Sequence, residues 1–385
     1  MADVQQNDFR YDTNILFRVN SSRLGGWYEV HRFTDYSIDL ELETDADAFR
    51  FTILNPNGVY TGLFSKFDDI TLEIDKKPVM KGKIDCVEYS WDDSGCRISI
   101  NGRDLMSALV DNDALPGTHK NVKPTTYIAN KCAEYGIKSV IDPSIDTVEQ
   151  LIIGCGESEI SVINNIVMEG SRKRVWFDFD TLHAGDWNDK AQPTYLFTRG
   201  VDDRPGIPIK KFAIREDGTD TKSEVRIYGS TNDGAEKVVG TATNEYMVSR
   251  GIKKRMTKRS SNNDSASKYS SNALRDVRDS FRDGIEIELE VKTGHGGLIL
   301  PNRTAQVIDT ITKVNAVFFI TGVTYSKDLN NGSITKVTMI PGETAFDVVW
   351  KSQSTPASGS TGNNNGSFVG THKMTLAELV AQRRG

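Results

Sequence analysis

A strict alternation of apolar and polar residues constrains the first hundred residues more than any other feature. In Ile70-Thr71-Leu72-Glu73-Ile74, the isoleucines and leucine occupy one side of an extended backbone, and threonine and glutamate occupy the other. This period of two predicts a strand with a core on one face and solvent on the other. The same alternation predicts strands over residues 36–42, 48–53, 83–91 and 97–100.

Turn residues separate these predicted strands. Asn55-Pro56-Asn57-Gly58 and Asp92-Asp93-Ser94-Gly95 carry residues that accept positive φ angles and close turns with side-chain hydrogen bonds. Short strands at this spacing indicate a small barrel or sandwich. We therefore expect residues 1–110 to form a first β-barrel domain. It ends with Asn101-Gly102-Arg103-Asp104-Leu105 and a short helix through Val110.

The pattern changes between residues 111 and 204. Pro124 lies where the first turn of a helix tolerates proline, and Ser158 suits the N-cap of a helix that runs to about Gly170. The stretch Arg174–Asp180 then reads as a strand, with a polar turn and a further strand after it. These features predict a small α+β domain over 111–204.

Strand character returns in the third part of the chain. It is found over residues 224–228, 235–240, 285–291, 304–308, 317–325 and 334–340. The apolar residues Leu274, Val277 and Phe281 have helical spacing. We expect residues 205–350 to form a second β-barrel domain, assembled from about 205–230 and 285–345. A basic polar insert and a helix, at about 250–283, interrupt it.

The last residues of the chain predict a tether with a docking helix. Residues 351–370 are mostly Ser, Thr, Gly, Asn and Pro, a composition that cannot bury enough apolar surface to offset ordering, so we predict a flexible linker. Residues 371–385 predict a short amphipathic helix, in which Leu376, Leu379 and Val380 form one apolar stripe. Because a helix this short is marginal alone, we expect this stripe to bind a partner.

Composition excludes several classes of protein. The chain has 385 residues, enough for two to four domains, and a net charge of −6 that disfavours general coating of nucleic acid. No apolar run is long enough for a membrane span. The N-terminus is polar and has no signal-peptide pattern, so we expect a soluble protein made in a cytoplasm.

The four cysteines have no metal-ligand spacing. Cys86, Cys96, Cys132 and Cys155 form no C-x-x-C pair and have no accompanying histidine pair. We interpret them as free and mostly buried thiols in a reducing compartment. Cys86 and Cys96 flank a predicted hairpin turn, which allows a cross-strand contact without requiring a disulfide.

The strongest candidate for chemistry is a group of acids near a histidine. Asp178, Asp180, His183 and Asp186 carry the oxygen and nitrogen ligands that a divalent metal takes. A simpler interpretation is structural. On an extended strand Val175, Phe177 and Phe179 share one face, Trp176, Asp178 and Asp180 share the other, and His183 falls in the hairpin turn. We favour the structural interpretation.

Other motifs give no support to an enzyme. Gly154-Cys155-Gly156-Glu157-Ser158 precedes a predicted helix but lacks the Lys-Ser/Thr ending of a phosphate loop. No G-x-S-x-G, H-E-x-x-H or dinucleotide glycine pattern is present. The histidines lie singly in different segments, at positions 31, 119, 183, 295 and 372. We therefore predict no catalytic residue, no cofactor and no metal.

A basic run is the strongest local charge feature. It consists of Arg250, Lys253, Lys254, Arg255, Lys258 and Arg259. Such a run can meet phosphates, but no aromatic residue alternates with it to stack on bases. A solvated strand-and-loop face, or a patch that faces an acidic subunit, is the favoured interpretation.

The order of these elements resembles a known family. The segments 39–44, 48–55, 69–74 and 82–91, followed by Asn101-Gly102-Arg103-Asp104-Leu105, resemble the first tube domain of phage baseplate-hub proteins. The helix 273–281, the strand 285–291, Leu300-Pro301-Asn302 and the segments 318–326 and 334–339 resemble the last barrel of that family. The resemblance covers roughly residues 15–345. It points to hub proteins of Mu-like and defective-prophage contractile tails, of the late-control-D type, and to related bacteriocins.

The resemblance implies a fold and a set of partners. The fold is mainly β (α+β), with two similar tail-tube-like β-barrel domains, a small inserted α+β domain and a flexible C-terminal tail. Three copies would form a homotrimeric ring of six barrels between a six-fold tail tube and a three-fold spike. The implied partners are the tube or tube-initiator protein, the spike and other baseplate subunits, with DNA passing through the ring.

The implied protein is a structural subunit of the virion, in the tail baseplate, assembled in the bacterial host cytoplasm. The basic stretch at 250–270 and the C-terminal helix have no counterpart that we can assign. Two alternatives stay open at this point. One is a secreted or particle-borne carbohydrate-binding or adhesive β protein, and the other is a DNA-contacting protein.

Overall fold

Two β-barrels joined through one long strand dominate this protein. The computed structural model describes residues 15–55, 58–92, 95–171, 173–201, 206–230, 236–259, 266–294, 297–328, 332–343 and 346. One hydrophobic core runs through both barrels, from Phe17 in the first to Phe318 in the second.

The first barrel is a curved antiparallel sheet whose inner face is aromatic. Its strands are β1 (Ile15–Asn20), β2 (Trp27–Val30), β3 (Asp35–Glu41), β4 (Ala48–Leu54), β5 (Asp69–Ile74), β6 (Lys77–Asp92) and β7 (Gly95–Asp104). They lie in the order β3-β4-β7-β6-β5-β1-β2. The rings of Phe17, Phe49 and Phe51 pack together, with centroids 5.1–6.0 Å apart. The predicted alternation is confirmed in β5, where every second residue is buried, and β1, which was not predicted, shows the same burial pattern.

A small α+β unit follows the first barrel. It contains α1 (Ser107–Asp111), β8 (Gly117–Val122), α2 (Pro124–Glu134), β9 (Lys138–Ile141), β10 (Val148–Ile153), α3 (Glu159–Ser171), β11 (Arg174–Asp178) and β12 (Thr181–Gly185). Strands β8 and β10 pair, and β11-β12-β9 form a second small sheet. As predicted, Pro124 lies in the first turn of α2, and the Ser158 hydroxyl accepts a hydrogen bond from the Ser161 amide at the start of α3. Ile163 on α3 packs in the same cluster as Ile128 of α2.

The second barrel is closed. In chain order the next elements are β13 (Tyr195–Arg199), β14 (Ile207–Glu216), β15 (Glu224–Ser230), β16 (Glu236–Thr243), α4 (Glu245–Ser249), β17 (Arg255–Arg259), α5 (Ala266–Arg282), β18 (Ile285–Lys292), β19 (Arg303–Asp309), β20 (Val314–Asp328) and β21 (Gly332–Pro341). Six of these strands form the barrel, in the order β13-β14-β18-β21-β20-β19 and back to β13.

The strand composition of the second barrel differs from the prediction in two places. Residues 224–230, expected in the barrel, form β15 in a separate sheet with β16 and β17. The reason is that Val225 and Ile227 are buried against Tyr269, Ala273 and Val277, in a cluster of their own that the helix α5 covers. Conversely, β13 comes from the segment expected in the α+β domain, yet it lies in the barrel beside β19.

The two barrels share a topology, as expected. The five strands β3-β4-β7-β6-β5 of the first barrel correspond in order and in antiparallel pairing to β14-β18-β21-β20-β19 of the second. The closing strands differ. The antiparallel hairpin β1–β2 lies next to β5, whereas the single strand β13 runs parallel to both β14 and β19.

Strand β20 belongs to both barrels. Its first half pairs with β19, and its second half pairs with β3 of the first barrel. The change of partner coincides with a register shift between Ile320 and Gly322. A bulge bends a strand and increases its twist, which lets one strand leave one barrel wall and enter another. All strands of both barrels therefore lie in one continuous hydrogen-bonded sheet.

We predict that Tyr325 on β20 is a main support of this junction. Its side chain is 1% exposed, and its hydroxyl donates to the Ile299 carbonyl at 2.6 Å and accepts from the Ile299 amide at 2.7 Å. Tyr325→Phe leaves both backbone groups without this partner, so the free energy of unfolding should fall by about 1–3 kcal/mol. Urea denaturation measures this change. Tyr28→Phe, at a partly buried ring on β2, is the control and should change stability by less than about 0.5 kcal/mol. Equal losses in both variants would contradict the prediction.

Candidate assembly surface

The junction between the barrels is an antiparallel pairing of β20 with β3. It runs from Gly322 opposite Glu41 to Lys327 opposite Tyr36. At its centre Tyr325 faces Ile38, and both side chains are buried. The Leu42 amide then donates to the Thr321 carbonyl at 2.9 Å, directly at the bulge. Because the contact is made by backbone hydrogen bonds over a buried face, the barrels are held in a fixed relation.

The Gly-Arg-Asp-Leu sequence connects the first barrel to the α+β unit. A Cβ atom on Gly102 would lie 2.1 Å from the Lys83 carbonyl oxygen and 2.6 Å from the Phe49 ring, so only glycine fits at this crossing. The Arg103 guanidinium binds the carboxylates of Asp85 and Asp111, each at 2.7 Å. These two bonds tie β6 to the end of helix α1.

Asp104 is the buried acid of this connection. It is 1% exposed, its Oδ1 accepts from the Met106 amide at 3.0 Å, and its own amide donates to the Asp47 carbonyl at 3.0 Å. Burial raises the pKa of Asp104 to about 7. Burial, together with the neighbouring Asp104 carboxylate, also raises the pKa of Asp47. The carboxyl group thus binds the backbone just before helix α1, and burial favours its protonated form up to near-neutral pH.

Two strand edges are exposed, one in each barrel. Strand β6 pairs with β5 only as far as Lys83, and no described strand covers that side of Cys86–Asp92, which we name the β6 edge. Strand β14 pairs with β13 only at Ile207 and Pro208, and no described strand covers that side of Lys211–Glu216, which we name the β14 edge. An uncovered edge is a template for pairing with another strand.

Apolar side chains stand out along both edges. Trp91 on the β6 edge is 70% exposed and stacks on Tyr89, with ring centroids 6.1 Å apart. On the β14 edge, Phe212 and Ile214 lie opposite Leu289 and Ile287, which are buried in the core. Ile214 is nevertheless 36% exposed, because the barrel wall beside it lacks a strand among the described residues. These two edges form the candidate assembly surface.

Most of the basic run is paired within the protein. Lys254 donates to the carbonyls of Gly218 at 2.6 Å and Thr219 at 2.8 Å. Further contacts fix three other members. They are Arg255 with Glu224 at 2.7 Å, Lys258 with Asp276 at 3.0 Å, and Arg250 over the Tyr246 ring at 4.2 Å. Arg259 lies at the end of β17, and Lys253 is exposed in the loop before it. The run therefore mainly holds the β15–β17 sheet to its surroundings.

The acids proposed as metal ligands have other partners. Asp180 binds Lys138 at 2.7 Å, and Asp186 binds Lys173 at 3.2 Å. His183 does not lie in the turn, as the sequence suggested. It lies within β12 opposite Trp176, on which it stacks with centroids 5.1 Å apart, and burial lowers its pKa. In the part of the chain that the structure describes, no group of three or more His, Cys, Asp or Glu side chains could hold a metal ion.

The cysteine interpretation needs correction. Only Cys132 is buried, and burial raises its pKa to about 11, whereas Cys86 and Cys155 are exposed. Cys86 faces Asn101 and Cys96 faces Trp91, so the long β6–β7 hairpin separates the two residues that seemed able to meet. The predicted stripe of Leu376, Leu379 and Val380 lies outside the described residues. Sequence reasoning missed both edges, although a tryptophan next to a hairpin turn was the available signal for the first.

This fold, with two barrels in one sheet and an α+β unit between them along the chain, is similar to that of solved prophage tail proteins. The structure is similar to the tail protein from Neisseria meningitidis MC58, with a TM-score of 0.71 and 21% identity, covering 90% of this chain and 100% of that one. It is also similar to the 43 kDa tail protein of prophage MuSo2 from Shewanella oneidensis, with a TM-score of 0.67 and 19% identity, covering 86% and 99%. The prophage tail protein gp18 from Listeria monocytogenes has a TM-score of 0.52 at 13% identity, covering 88% and 98%.

The sequence of the first barrel adds a match to a particular phage protein family. Residues 15–104 match the family described as Mu phage baseplate assembly protein GpP-like, N-terminal. The matched range begins with β1 and ends with Asp104, the last residue of β7. None of the curated proteins compared with the chain matches it. The resemblance to phage baseplate proteins is thus confirmed, by the family match of residues 15–104 and by a fold similar to that of prophage tail proteins. Among the described residues, no helix has the length and apolar character to cross a membrane.

We predict that Asp104 makes stability depend on pH. Its pKa of about 7 in the folded chain lies above the ordinary value of 3.8, so the folded state holds the proton more tightly than the unfolded state. The free energy of unfolding therefore falls as pH rises between about 4 and 7, by up to about 1.4 kcal/mol per pH unit for this group. Asp104→Asn should reduce this slope and should be more stable than the natural chain at pH 8, as measured by urea denaturation across pH.

The matched control is Asn101→Ala, on the exposed face of the same strand, which removes no titratable group. It should keep the pH slope of the natural chain. If Asp104→Asn keeps the same slope, or loses stability at pH 8, Asp104 is not the buried acid that governs this range.

Proposed function

We propose that this chain is a baseplate-hub subunit of a contractile phage tail or tail-like particle. In this proposal three copies close into a ring that adapts the six-fold tail tube to the three-fold spike. The observation that carries it is the internal duplication. Two barrels share the same order of five strands and are joined in one continuous sheet by the β20–β3 pairing.

Symmetry explains why a duplicated chain suits this position. A ring of single-barrel subunits can match either a six-fold tube or a three-fold spike. It cannot make equivalent contacts with both. Three copies with two similar barrels present six similar surfaces to the tube, and the inserted units keep the three-fold symmetry toward the spike. A closed ring uses heterologous interfaces, in which different patches of successive copies meet. The β6 and β14 edges are two such different patches.

A structural role without catalysis fits the chemistry of the described residues. Asp104, whose pKa burial raises, lies at a domain connection and binds the Met106 amide, and Asp180 and Asp186 near His183 are paired with lysines. The two alternatives have no such support. Within the basic run Arg255 and Lys258 are paired with acids and Lys254 is bound to backbone carbonyls, which does not favour a DNA-contacting protein. No feature of the described surface favours a carbohydrate-binding or adhesive role.

The proposed partners follow from the position in the particle. They are further copies of this chain, the tube or tube-initiator protein on one side, the spike on the other, and other baseplate subunits around the ring. The proposed location is the virion, after assembly in the bacterial host cytoplasm. DNA would pass through the ring, and the C-terminal segment would dock on a neighbouring tail protein.

The copy number tests the hub assignment. We expect three copies of this chain for each tail, in one ring, in native mass measurements of the chain bound to its spike and in imaging of isolated tails. The spike must be present because the proposal allows weak contacts between isolated subunits and requires a closed trimer only in the assembled particle. A dimer, or a single copy in the assembled particle, is incompatible with the proposal.

The C-terminal segment has its own test. Deleting residues 368–385 removes the proposed docking stripe of Leu376, Leu379 and Val380 and leaves both barrels intact. We expect unchanged urea stability but weaker incorporation into tails, measured as the amount of chain in purified particles. Leu376→Asp/Leu379→Asp should reproduce the loss, whereas Gln382→Asp, beyond the stripe, should not. Normal incorporation of the deleted chain rules out docking by this segment.

A further inference from the structure

We propose that the β6 edge of one copy pairs with the β14 edge of the next copy, antiparallel and in the same register as the β20–β3 junction. The ring would then repeat between copies the contact that already joins the two barrels within each copy. This inference rests on the proposed function, because it names how the subunits of the ring meet.

Strand β6 is the counterpart of β20. Each is a long strand that carries a register shift, between Ile84 and Cys86 in β6 and between Ile320 and Gly322 in β20. Each then runs to a hairpin that ends at a glycine, since Asp92 faces Gly95 and Asp328 faces Gly332. Aligning the two bulges therefore also aligns the two turns. It places Cys86 at the position of Gly322, Tyr89 at Tyr325 and Trp91 at Lys327.

Strand β14 is the counterpart of β3. In the first barrel Ile38 faces Phe49, which faces Gly102. In the second barrel Ile214 faces Ile287, which faces Met339. Gly102 and Met339 are equivalent, because each follows the residue that faces Cys86 or Gly322. Ile214 therefore takes the position of Ile38, Phe212 that of Tyr36, and Arg215 that of Asp39.

The equivalence determines which sides are uncovered. The second half of β20 pairs with β3 on the side that β19 leaves free. The second half of β6 has the same side uncovered where β5 ends. Likewise, β3 meets β20 on the side opposite β4, and β14 is uncovered on the side opposite β18. Strands β20 and β3 already pair within the chain. Their counterparts β6 and β14 lie at separate uncovered edges of the same chain.

The register within the chain predicts the contacts between copies. Thr324 faces Asp39, Tyr325 faces Ile38, and Lys327 faces Tyr36. The equivalent pairs across the ring are Glu88 with Arg215, Tyr89 with Ile214, Ser90 with Ala213, and Trp91 with Phe212. Directly opposite residues in such a pair have Cβ atoms about 4.5–5.5 Å apart.

These pairs are chemically matched. Glu88 and Arg215 have opposite charges, and both are exposed in the single chain. Trp91, 70% exposed, meets the aromatic Phe212, and Tyr89 meets Ile214, which is 36% exposed. Pairing would cover the apolar groups that the single chain leaves in water and would satisfy two rows of backbone hydrogen-bonding groups.

The partner that we propose for both edges is a second copy of this chain. Each copy offers one β6 edge and one β14 edge, so every edge finds a partner only if the copies join head to tail. Every barrel would then touch its two neighbours through equivalent strands. The contacts alternate between β20–β3 within a copy and β6–β14 between copies, which is how a three-fold ring approaches six-fold symmetry.

A disulfide across the predicted register tests this pairing in assembled tails. Cys86, Cys96 and Cys155 are first replaced by serine, and Ser90→Cys and Ala213→Cys are then introduced together. Mild oxidation should convert most of this chain to a covalent trimer on a non-reducing gel. Either cysteine alone should give no trimer. The matched control is Ser90→Cys with Arg215→Cys, two positions out of register, which should cross-link at least tenfold less.

A second variant tests the same pairing if the cysteine-substituted proteins do not fold. Trp91→Asp, which places a carboxylate opposite Phe212, should lower incorporation into tails severalfold, whereas Ile311→Asp, at a residue 69% exposed outside both edges, should leave it unchanged. Particles that contain three copies but no cross-link from Ser90→Cys/Ala213→Cys, or in which Trp91→Asp is incorporated normally, overturn the edge pairing and leave the proposed function intact. A copy number other than three overturns the proposed function itself.

Discussion

The architecture depends on one strand that serves two barrels. β20 spans Val314–Asp328, long enough to complete the wall of the second barrel with its first half and to pair with β3 using its second half. The bulge at Thr321 supplies the bend between these halves, and Tyr325 fixes the emerging half to the Ile299 backbone. If β20 ended at the bulge, two separate barrels on a flexible connection would result. Because it continues, the chain is one rigid sheet with a core shared by both barrels.

The α+β unit is joined to the barrels by side-chain contacts, which include the packing of Trp176 and Trp187 against Leu42, Phe319 and Ile340 as well as polar contacts. Arg103 ties β6 to α1, and Asp104 accepts from the Met106 amide just before α1 while its own amide reaches the β3–β4 turn at Asp47. A buried acid at this connection costs stability when it ionises. Asp104 therefore makes this connection sensitive to pH, whereas the β20–β3 junction is held mainly by buried side chains and backbone hydrogen bonds.

Much of the fold could be predicted from local sequence patterns, and the failures share a cause. Alternation located β3 to β7 of the first barrel but not β1 or β2, and Pro124 and Ser158 located two helix starts, because these signals depend on neighbours along the chain. The choice of which strand pairs with which does not depend on neighbours along the chain. β13 and β15 both read as short strands, and only the cluster of Val225 with α5 decides that β15 leaves the barrel. For the same reason the sequence could not show which side of β6 or β14 is uncovered.

The central claim is that the ring repeats between copies the contact found within each copy. Electron cryo-microscopy of the intact tail, at a resolution that traces strands, tests it directly. The account predicts six barrels around the channel, with β6 of one copy and β14 of the next about 4.8 Å apart, the spacing of paired strands. Tyr89 should face Ile214 of the adjacent copy. A ring whose copies meet through loops or through the α+β units, with both edges still uncovered, would contradict it.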